Sequence, residues 1–436
     1  MSYRNMPIQS LSMTSTDNRS PITDHRLPKT VLMLLVIVLA TVTLSASDPI
    51  RVFDNFESGN MGVFRVEGDT RLIFVPQKEH DQDEINSAVT WFYGRLENVL
   101  DREIKIDIAG LDYTVYNGKQ GEILPFERNT VPVYSYDRRH WERFTDCRFD
   151  KATRRFQIRQ IFSREVVWIA YIPPYTFSNL ESYLLRLDRH PSAYLEEIGR
   201  SVEERSLYLV TVADPALKPD SVPVIWIVAR QHAFESGGTW ATAALLRFLT
   251  SGKTDAEALL QRFVFKICPM LNPDGVAKGG TRFNLRGVDL NRHWNSDDPL
   301  SQNRELAPEI VFVKEALSRW RKSHRLDLFI NIHNNDMVWN EEGDYIRFAP
   351  PDEEAPARRL EACLRKETIF TGPFDPTPTD LTTEAVVASE TGALSLLMEM
   401  KTGYLENLGR WTGIDLFEAH GPDLARAVEC FFSEAE

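Results

Sequence analysis

The chain has 436 residues, 43% of them hydrophobic and 26% charged, and it carries a formal net charge of -13. This length suggests two or three domains, with enough apolar material for cores that need no disulfides. The acidic balance argues against a nucleic-acid-binding protein, which needs a basic face. The lack of a C-x-x-C pair argues against a cysteine-based zinc site and leaves disulfide pairing open among Cys147, Cys268, Cys363 and Cys430.

Residues 1–47 have the pattern of a targeting segment. A polar stretch ends in Arg26 and Lys29, an apolar run follows from Val31 to Leu44, and small residues come next at 45–47. The apolar run is shorter than the roughly 18 residues of a membrane-spanning helix. The pattern therefore predicts a signal peptide and an exported protein, either periplasmic or secreted. An uncleaved N-terminal membrane anchor is the alternative interpretation.

Residues 48–173 are predicted to form an antiparallel β-sandwich domain. The segment consists of short apolar strands separated by turn residues such as Tyr116-Asn117-Gly118. Its aromatic side chains are predicted to lie in the core or against the next domain. The predicted strands include Leu72 to Pro76, Ile104 to Ile108, Val131 to Tyr134 and Val166 to Ile172, and the aromatics are Trp91, Phe92, Tyr93, Tyr134 and Tyr136.

Residues 174–436 are predicted to form an α/β/α domain around a mixed, mostly parallel central sheet. Continuous apolar runs, typical of strands buried on both faces, alternate with segments of helical periodicity. The predicted strands are Val222 to Val228, Phe263 to Met270, Leu326 to Ile332 and Leu394 to Met400. The predicted helices are Leu180 to Leu187, Tyr194 to Gly199, Trp240 to Leu249 and Ile310 to Trp320.

Polar side chains gather at the ends of these predicted strands. His232 and Glu235 directly follow the strand 222–228, and His333 comes just past the strand 326–332. Two histidines and one glutamate are a catalytic zinc set, because three protein ligands leave a fourth position for water. Zinc lowers the pKa of that water and polarises the scissile carbonyl. The pattern predicts one Zn²⁺ per chain.

Four further residues supply the remaining chemistry of a hydrolase. Glu399 is a carboxylate inside an apolar strand, and burying a carboxylate that has no function would cost free energy. It can serve as the general base. Arg282 can stabilise an oxyanion. Arg292, aided by Asn291, can hold a terminal carboxylate through two parallel hydrogen bonds.

In their order along the chain, these residues resemble the zinc metallocarboxypeptidase family: His-x-x-Glu, Asn-Pro-Asp-Gly (residues 272–275), Arg, Asn-Arg, His and Glu. In that family the two histidines and the first glutamate bind zinc, and the last glutamate is the base. The earlier arginine assists the oxyanion, and the Asn-Arg pair binds the substrate's C-terminal carboxylate. The chain looks most like the cytosolic carboxypeptidase branch, which places a β-sandwich directly before the catalytic domain. The stretches Asp54 to Asn60 and Ile172 to Ser178 support that branch.

The resemblance implies a zinc-dependent metallocarboxypeptidase that hydrolyses C-terminal amino acids from peptides or proteins, with Glu399 as general base. One alternative is a zinc amidohydrolase that acts on cell-wall peptides or N-acyl amino acids. Another is an inactive peptide-binding protein on the same fold. The resemblance leaves the oligomeric state open and implies no membrane contact beyond an N-terminal anchor.

Three features depart from the resemblance or leave it open. Many family members have a mobile tyrosine before the catalytic glutamate, but residues 374–395 contain none, so Tyr404 and Tyr345 are the candidates. An export signal is foreign to a cytosolic enzyme, and an exported bacterial relative would reconcile the two. The branch implies acidic C-terminal substrate residues, whereas Asp380 and Glu384 would favour basic ones, so the side-chain preference stays open.

Overall fold

The computed structural model describes residues 48–111, 115–116, 119–120, 130–335, 345–349, 354–372, 374–375 and 382–433. The segment 1–47, part of the turn at 116–118 and Asp380 lie outside these ranges. The strands within them are β1 (Arg51–Phe53), β2 (Val63–Glu67), β3 (Arg71–Val75), β4 (Glu79–His80), β5 (Ser87–Ala88), β6 (Tyr93–Glu97), β7 (Glu103–Ile108), β8 (Val115–Tyr116), β9 (Lys119–Gln120), β10 (Val133–Ser135), β11 (Glu142–Arg143), β12 (Cys147–Asp150), β13 (Arg155–Ile161), β14 (Val166–Ala170), β15 (Ala193–Arg200), β16 (Ser206–Val212), β17 (Val224–Ala229), β18 (Val264–Cys268), β19 (Leu328–Asn335), β20 (Tyr345–Ala349), β21 (Phe374–Asp375), β22 (Leu394–Lys401), β23 (Tyr404–Leu405) and β24 (Arg410–Trp411). The α-helices are α1 (Phe177–Leu187), α2 (Ser236–Leu249), α3 (Thr254–Leu260), α4 (Pro273–Lys278), α5 (Pro308–Arg321), α6 (Glu354–Glu367), α7 (Thr383–Thr391) and α8 (Ile414–Ser433), with short 3₁₀ turns at Pro219–Ser221 and Pro299–Gln302.

Two five-stranded sheets make up most of the N-terminal part, in the orders β1-β6-β14-β10-β11 and β12-β13-β7-β3-β2. Alternation places Ile104, Ile106 and Ile108 of β7 on one buried face, as expected of a strand with one face in a core. The pairings within these sheets are antiparallel, apart from the parallel pair β3 and β7. The predicted antiparallel N-terminal fold is confirmed. Of its aromatics, Trp91 and Phe92 are fully buried in the core.

An eight-stranded mixed sheet, ordered β15-β16-β18-β17-β19-β22-β20-β21, forms the centre of the C-terminal part. Strands β18, β17, β19 and β22 are parallel and lie in the middle of that sheet. All six residues of β17 are buried, because helices cover both faces of the sheet. Helices α2, α6 and α8 pack on one face, and α5 and α7 pack on the other. The predicted α/β fold class with a mixed sheet is confirmed.

Two predicted elements differ in the structure. The segment Tyr194 to Gly199 is not a helix, because it lies in strand β15, which pairs antiparallel with β16. A bulge between Glu197 and Gly199 interrupts the regular pairing of this strand. Only Ala193 and Ile198 of its eight residues are buried, so the segment lacks the alternation of apolar and polar residues by which strands are predicted. Strand β19 also extends to Asn335, so His333 lies within the strand and not after it.

The sandwich and the α/β part contact each other directly, and residues 47–436 form one compact unit. Partly buried Arg143 of β11 donates hydrogen bonds to the carbonyl oxygens of Thr402 (2.9 Å), just after β22, and of Thr412 (2.7 Å), just after β24. Burial lowers the pKa of Arg143 to about 10. The domain boundary at residue 173 stays a prediction.

Cys363 of α6 and Cys430 of α8 form a disulfide, whereas Cys147 and Cys268 are free thiols. The bond joins two helices that pack on the same face of the central sheet. Among the helices that the structure describes, none combines the length and the apolar character that crossing a membrane requires.

Candidate metal centre and active site

The turn after β17 places the first two candidate ligands. Arg230 has a φ of 61°, a left-handed conformation that is unusual for a residue with a side chain and that turns the backbone at the strand end. Its buried guanidinium Nε donates to the Ala233 carbonyl (2.7 Å), which closes the turn. Helix α2 then begins at Ser236, directly after Glu235. His232 and Glu235 are thereby held in a tight buried turn between strand and helix.

His232, Glu235 and His333 meet in one buried cluster. His232 Nδ1 lies 2.7 Å from Glu235 Oε1, and His333 Nδ1 lies 2.8 Å from Glu235 Oε2. The two Nδ1 atoms are 3.2 Å apart. One ligand atom from each residue falls within 4.8 Å of the other two. The structure thus brings together three residues that lie as far as 101 positions apart in the sequence.

This donor set fits a zinc ion. Tetrahedral zinc with ligands at about 2.1 Å separates neighbouring donor atoms by roughly 3.4 Å. The Nδ1–Nδ1 distance of 3.2 Å is close to that value, and the Glu235 carboxylate lies slightly nearer to both rings. Two imidazole nitrogens and one carboxylate are also the ligand types of catalytic zinc sites.

Both histidines have a hydrogen-bonding partner on the ring nitrogen that faces away from the cluster. His232 Nε2 lies 3.1 Å from Asp289 Oδ1, and His333 Nε2 lies 2.9 Å from Gln231 Oε1. Such outer partners fix the ring orientation and tautomer of metal-binding histidines. Sequence reasoning gave neither Asp289 nor Gln231 a role. In the sequence, only their positions could have pointed to a role at the site: Gln231 directly precedes His232, and Asp289 precedes the Asn-Arg pair by two residues.

The electrostatics of the cluster suit a buried cation. Burial opposes ionisation of Glu235, but the adjacent imidazoles outweigh it and lower the pKa of its carboxyl. Burial likewise opposes ionisation of Asp289, whose pKa is lowered by Arg282 and His232. Burial and Arg282 disfavour the charged form of His232, yet the two carboxylates raise its pKa to about 9. Burial lowers the pKa of His333. The cluster therefore keeps two carboxylates ionised at neutral pH.

Arg282 lies beside this cluster and is held by Asp289. Its Nε and Nη2 lie 2.8 and 2.7 Å from Asp289 Oδ2, and 17% of its side chain is exposed. The amide of Asn272, which caps α4, donates to the carbonyls of Gln231 (3.2 Å) and Phe283 (3.0 Å). The Asn-Pro-Asp-Gly motif thus ties the turn that carries His232 to the loop that carries Arg282.

Asn291 is fixed by three donors to its side-chain oxygen. Thr383 donates to Oδ1 from its backbone N–H (3.1 Å) and its hydroxyl (2.8 Å), and Asn331 Nδ2 donates at 3.1 Å. A backbone N–H can only donate, so the oxygen of the Asn291 amide must face Thr383. The NH₂ group is therefore the end of the Asn291 side chain that points toward other partners.

Arg292 follows directly and is partly buried. Burial lowers its pKa to about 10; Glu384 and Glu399 favour its charged form, and Arg347 opposes it. These four groups therefore lie close enough to interact. Buried Glu384 already accepts hydrogen bonds from Thr382 and from Asn331 (3.2 Å).

Glu399 lies on β22 in register with His333 on the neighbouring parallel strand β19. Paired residues of adjacent strands point to the same face of a sheet, which places Glu399 on the face that carries His333. Strand β20 pairs on the other side of β22, with Tyr345 opposite Glu399. The side chain of Tyr345 is not among those that the structure describes. Tyr404 packs edge-on against Trp411, with 5.3 Å between the ring centroids. The mobile-tyrosine assignment stays a prediction.

Comparison with known proteins agrees with this geometry. Residues 180–369 match the zinc carboxypeptidase family, and residues 52–172 match the cytosolic carboxypeptidase N-terminal domain. The chain therefore contains a zinc carboxypeptidase domain preceded by a cytosolic carboxypeptidase N-terminal domain. Cytosolic carboxypeptidase 6 of Mus musculus is 30% identical over 305 residues, and that of Homo sapiens is 29% identical over 310 residues. These alignments cover 65% and 66% of this chain but only 53% and 58% of the relatives, so the chain spans little more than half of their length.

Solved structures share the fold of this chain. A metallo-carboxypeptidase from Burkholderia cenocepacia aligns over 89% of this chain and 100% of its own, with a TM-score of 0.76 and 23% identity. A metallo-carboxypeptidase from Pseudomonas aeruginosa aligns over 88% of this chain and 100% of its own, with a TM-score of 0.73 and 22% identity. The family resemblance, the fold class and the zinc requirement predicted from the sequence are thereby confirmed at the level of the family.

The prediction of an exported protein is wrong. The relatives that overturn it are named cytosolic carboxypeptidases. The apolar run that suggested a signal peptide or an anchor lies in residues 1–47, outside the described part of the chain. The prediction relied on composition alone, a short apolar run beside small residues, and the relatives do not support a targeting signal.

Proposed function

We propose that this zinc carboxypeptidase removes single C-terminal amino acids from peptides or proteins, with zinc held by His232, Glu235 and His333. One observation carries the proposal: Glu399 lies in register with His333 of the metal-binding cluster, and the side chain of Asn291, next to Arg292, is held by Asn331 of the same strand as His333. A metal site alone would serve many amidases. A partly buried guanidinium near a carboxylate base adds a means of binding a free α-carboxylate next to the bond that is cleaved.

The chain's own residues have distinct tasks in this reaction. Bound zinc supplies Lewis acidity and a water of lowered pKa. Glu399, in register with His333, accepts a proton from the attacking water and passes it to the leaving amine. Arg282, braced by Asp289, donates to the oxygen on which negative charge develops. Because Asp289 and Gln231 hold the two histidines, the ligand geometry exists before the substrate arrives.

Asn291 and Arg292 hold the substrate's terminal carboxylate. The Asn291 oxygen is occupied by Thr383 and Asn331, which leaves the amide NH₂ to donate to a substrate oxygen. Arg292 contributes a partly buried charge, whose charge-assisted hydrogen bonds are stronger than those between neutral groups. This arrangement requires a free C-terminus, which makes the enzyme an exopeptidase.

An acidic C-terminal side chain fits this site better than a basic one. Arg347 lies close enough to Arg292 to lower its pKa, so a second cation stands near the candidate clamp. Glu384, which had suggested a basic substrate side chain, also acts on Arg292, but both of its carboxylate oxygens already accept hydrogen bonds, from Thr382 and Asn331. Initial rates on a peptide pair that ends in glutamate or lysine measure this preference. Faster cleavage of the lysine peptide would contradict it.

Replacing Arg292 by alanine is expected to raise KM for a free-acid peptide by about 100-fold, with a smaller effect on kcat. Two charge-assisted hydrogen bonds to a terminal carboxylate contribute roughly 3 kcal/mol, and each 1.4 kcal/mol corresponds to a factor of ten. Steady-state kinetics on one peptide measures both constants. Arg286→Ala, an exposed arginine on the preceding loop, is the matched control. A variant with wild-type KM would remove Arg292 from substrate binding.

A further inference from the structure

A carboxylate from the N-terminal part reaches the loop that carries Arg282. Glu79 of β4 accepts a hydrogen bond from the backbone N–H of Arg282 at 2.7 Å and a longer one from that of Phe283 at 3.4 Å, both through Oε2. The partners are 203 positions apart in the sequence. Burial raises the pKa of Glu79, and the backbone N–H groups of this loop oppose that shift. The carboxylate is thus desolvated and held by main-chain donors.

The other oxygen of Glu79 lies against a glycine. A Cβ atom added to Gly280 would lie 2.6 Å from Glu79 Oε1, closer than real Cβ contacts allow. The φ of Gly280 is not positive, so backbone conformation does not require a glycine there. The lack of a side chain at Gly280 is what gives the carboxylate room beside the Arg282 amide.

From Glu79 a short chain of contacts leads to the metal ligands. The Arg282 side chain meets Asp289 Oδ2 through Nε (2.8 Å), and Asp289 Oδ1 lies 3.1 Å from His232 Nε2. Glu79 therefore fixes the main chain of Arg282, while Asp289 fixes its guanidinium. A group that stabilises developing charge works only when it is held in place before the reaction.

We propose that Glu79 is a positioning residue of the carboxypeptidase reaction, which holds the Arg282 main chain so that its guanidinium faces the scissile carbonyl oxygen. The inference rests on the function proposed above. It assigns to the N-terminal part a role in positioning a catalytic group, in addition to packing against the α/β part. Glu79 itself touches neither the substrate nor the metal ligands and acts through Arg282.

Loss of the Glu79 carboxylate should loosen this loop without detaching the two parts of the protein. The hydroxyl of Thr281 accepts from the backbone N–H groups of Thr90 (3.3 Å) and Trp91 (3.1 Å). The Gln82 N–H donates to the carbonyl of Gly287 at 3.1 Å. These contacts do not involve Glu79 and remain in a variant, so the expected effect is confined to the placement of Arg282.

The test compares Glu79→Ala, Glu79→Gln and Gly280→Ala with Asp83→Ala, an exposed acidic residue near β4 that serves as control. Glu79→Ala and Gly280→Ala should lower kcat by about 10- to 100-fold, the cost of displacing a catalytic group by roughly 1 Å. KM and zinc content should stay at the wild-type level. Glu79→Gln keeps an acceptor oxygen for the Arg282 N–H and should retain most of the activity.

Two further readouts separate positioning from general destabilisation. Added to Arg282→Ala, the Glu79→Ala change should lower kcat no further, because its effect passes through the missing guanidinium. Hydrogen exchange should rise in residues 279–289 and stay unchanged elsewhere in the catalytic part. Unchanged exchange in that segment, or an equal loss of kcat in the Arg282→Ala background, would overturn the inference. A wild-type protein that cleaves no peptide would refute the proposed function, and the exchange measurement would then still decide whether Glu79 positions the loop.

Discussion

Replacing Glu399 by glutamine is expected to lower kcat by about 10²- to 10⁴-fold, the range that general acid–base catalysis contributes. Glutamine has almost the same shape as glutamate but cannot accept the proton of the attacking water. Glu399 lies on β22 in register with His333, and it is absent from the group of residues that could hold the metal. Zinc content and KM should therefore stay close to those of the wild type. Steady-state kinetics together with metal analysis of the purified variant measures all three quantities.

Glu406→Gln is the matched control, because this exposed glutamate follows β22 on the same segment of the chain. It should leave kcat, KM and zinc content unchanged. Two results would contradict the role of Glu399 as general base. A variant that loses zinc would show that Glu399 supports the metal, and one that keeps wild-type kcat would show that another group takes the proton.

Replacing His333 by alanine is expected to abolish both zinc binding and peptide hydrolysis. The change removes one of the three candidate ligands and leaves the Glu235 carboxylate next to a single imidazole. His232 and Glu235 alone provide too few ligands for a stable zinc site. Metal analysis after dialysis should find the ion in the wild type and not in the variant.

Thermal unfolding gives an independent readout of the same prediction. Zinc that binds only the folded state stabilises it by about 4 kcal/mol at a thousand times its Kd. Adding zinc to the chelated wild type should therefore raise Tm, whereas the His333→Ala protein should show no such shift. His140→Ala, whose side chain is 88% exposed, is the control and should respond as the wild type does. A zinc-dependent rise in Tm for His333→Ala would contradict the ligand assignment.

Much of the fold could be predicted because local patterns agree with the tertiary structure. The continuous apolar run in β17 reflects burial on both faces, and the alternating isoleucines of β7 reflect burial on one. The candidate ligands His232 and Glu235 were found because they follow a predicted strand directly. Parallel strands bring such positions to the same edge of the sheet, so His333 could be predicted to join them.

The unpredicted features depend on contacts between distant parts of the chain. Nothing near Glu79 in the sequence points to Arg282, since the two are 203 positions apart and the contact runs through a backbone N–H. Gln231 and Asp289, the outer partners of the histidines, could not be predicted from their residue types, because only their neighbours in the sequence distinguish them from other glutamines and aspartates. The helix predicted at Tyr194 to Gly199 was wrong because this strand lacks the alternation of apolar and polar residues on which strand prediction depends.

The most direct measurement of the central claim is mass spectrometry of the products from one peptide offered as a free acid and as its C-terminal amide. The protein is assayed zinc-loaded and after chelation. We expect the loss of a single C-terminal residue from the free acid alone and only with zinc present, and we expect this cleavage to return when zinc is restored. Equal cleavage of the amide, cleavage inside the peptide, or activity that survives chelation would contradict the proposed function.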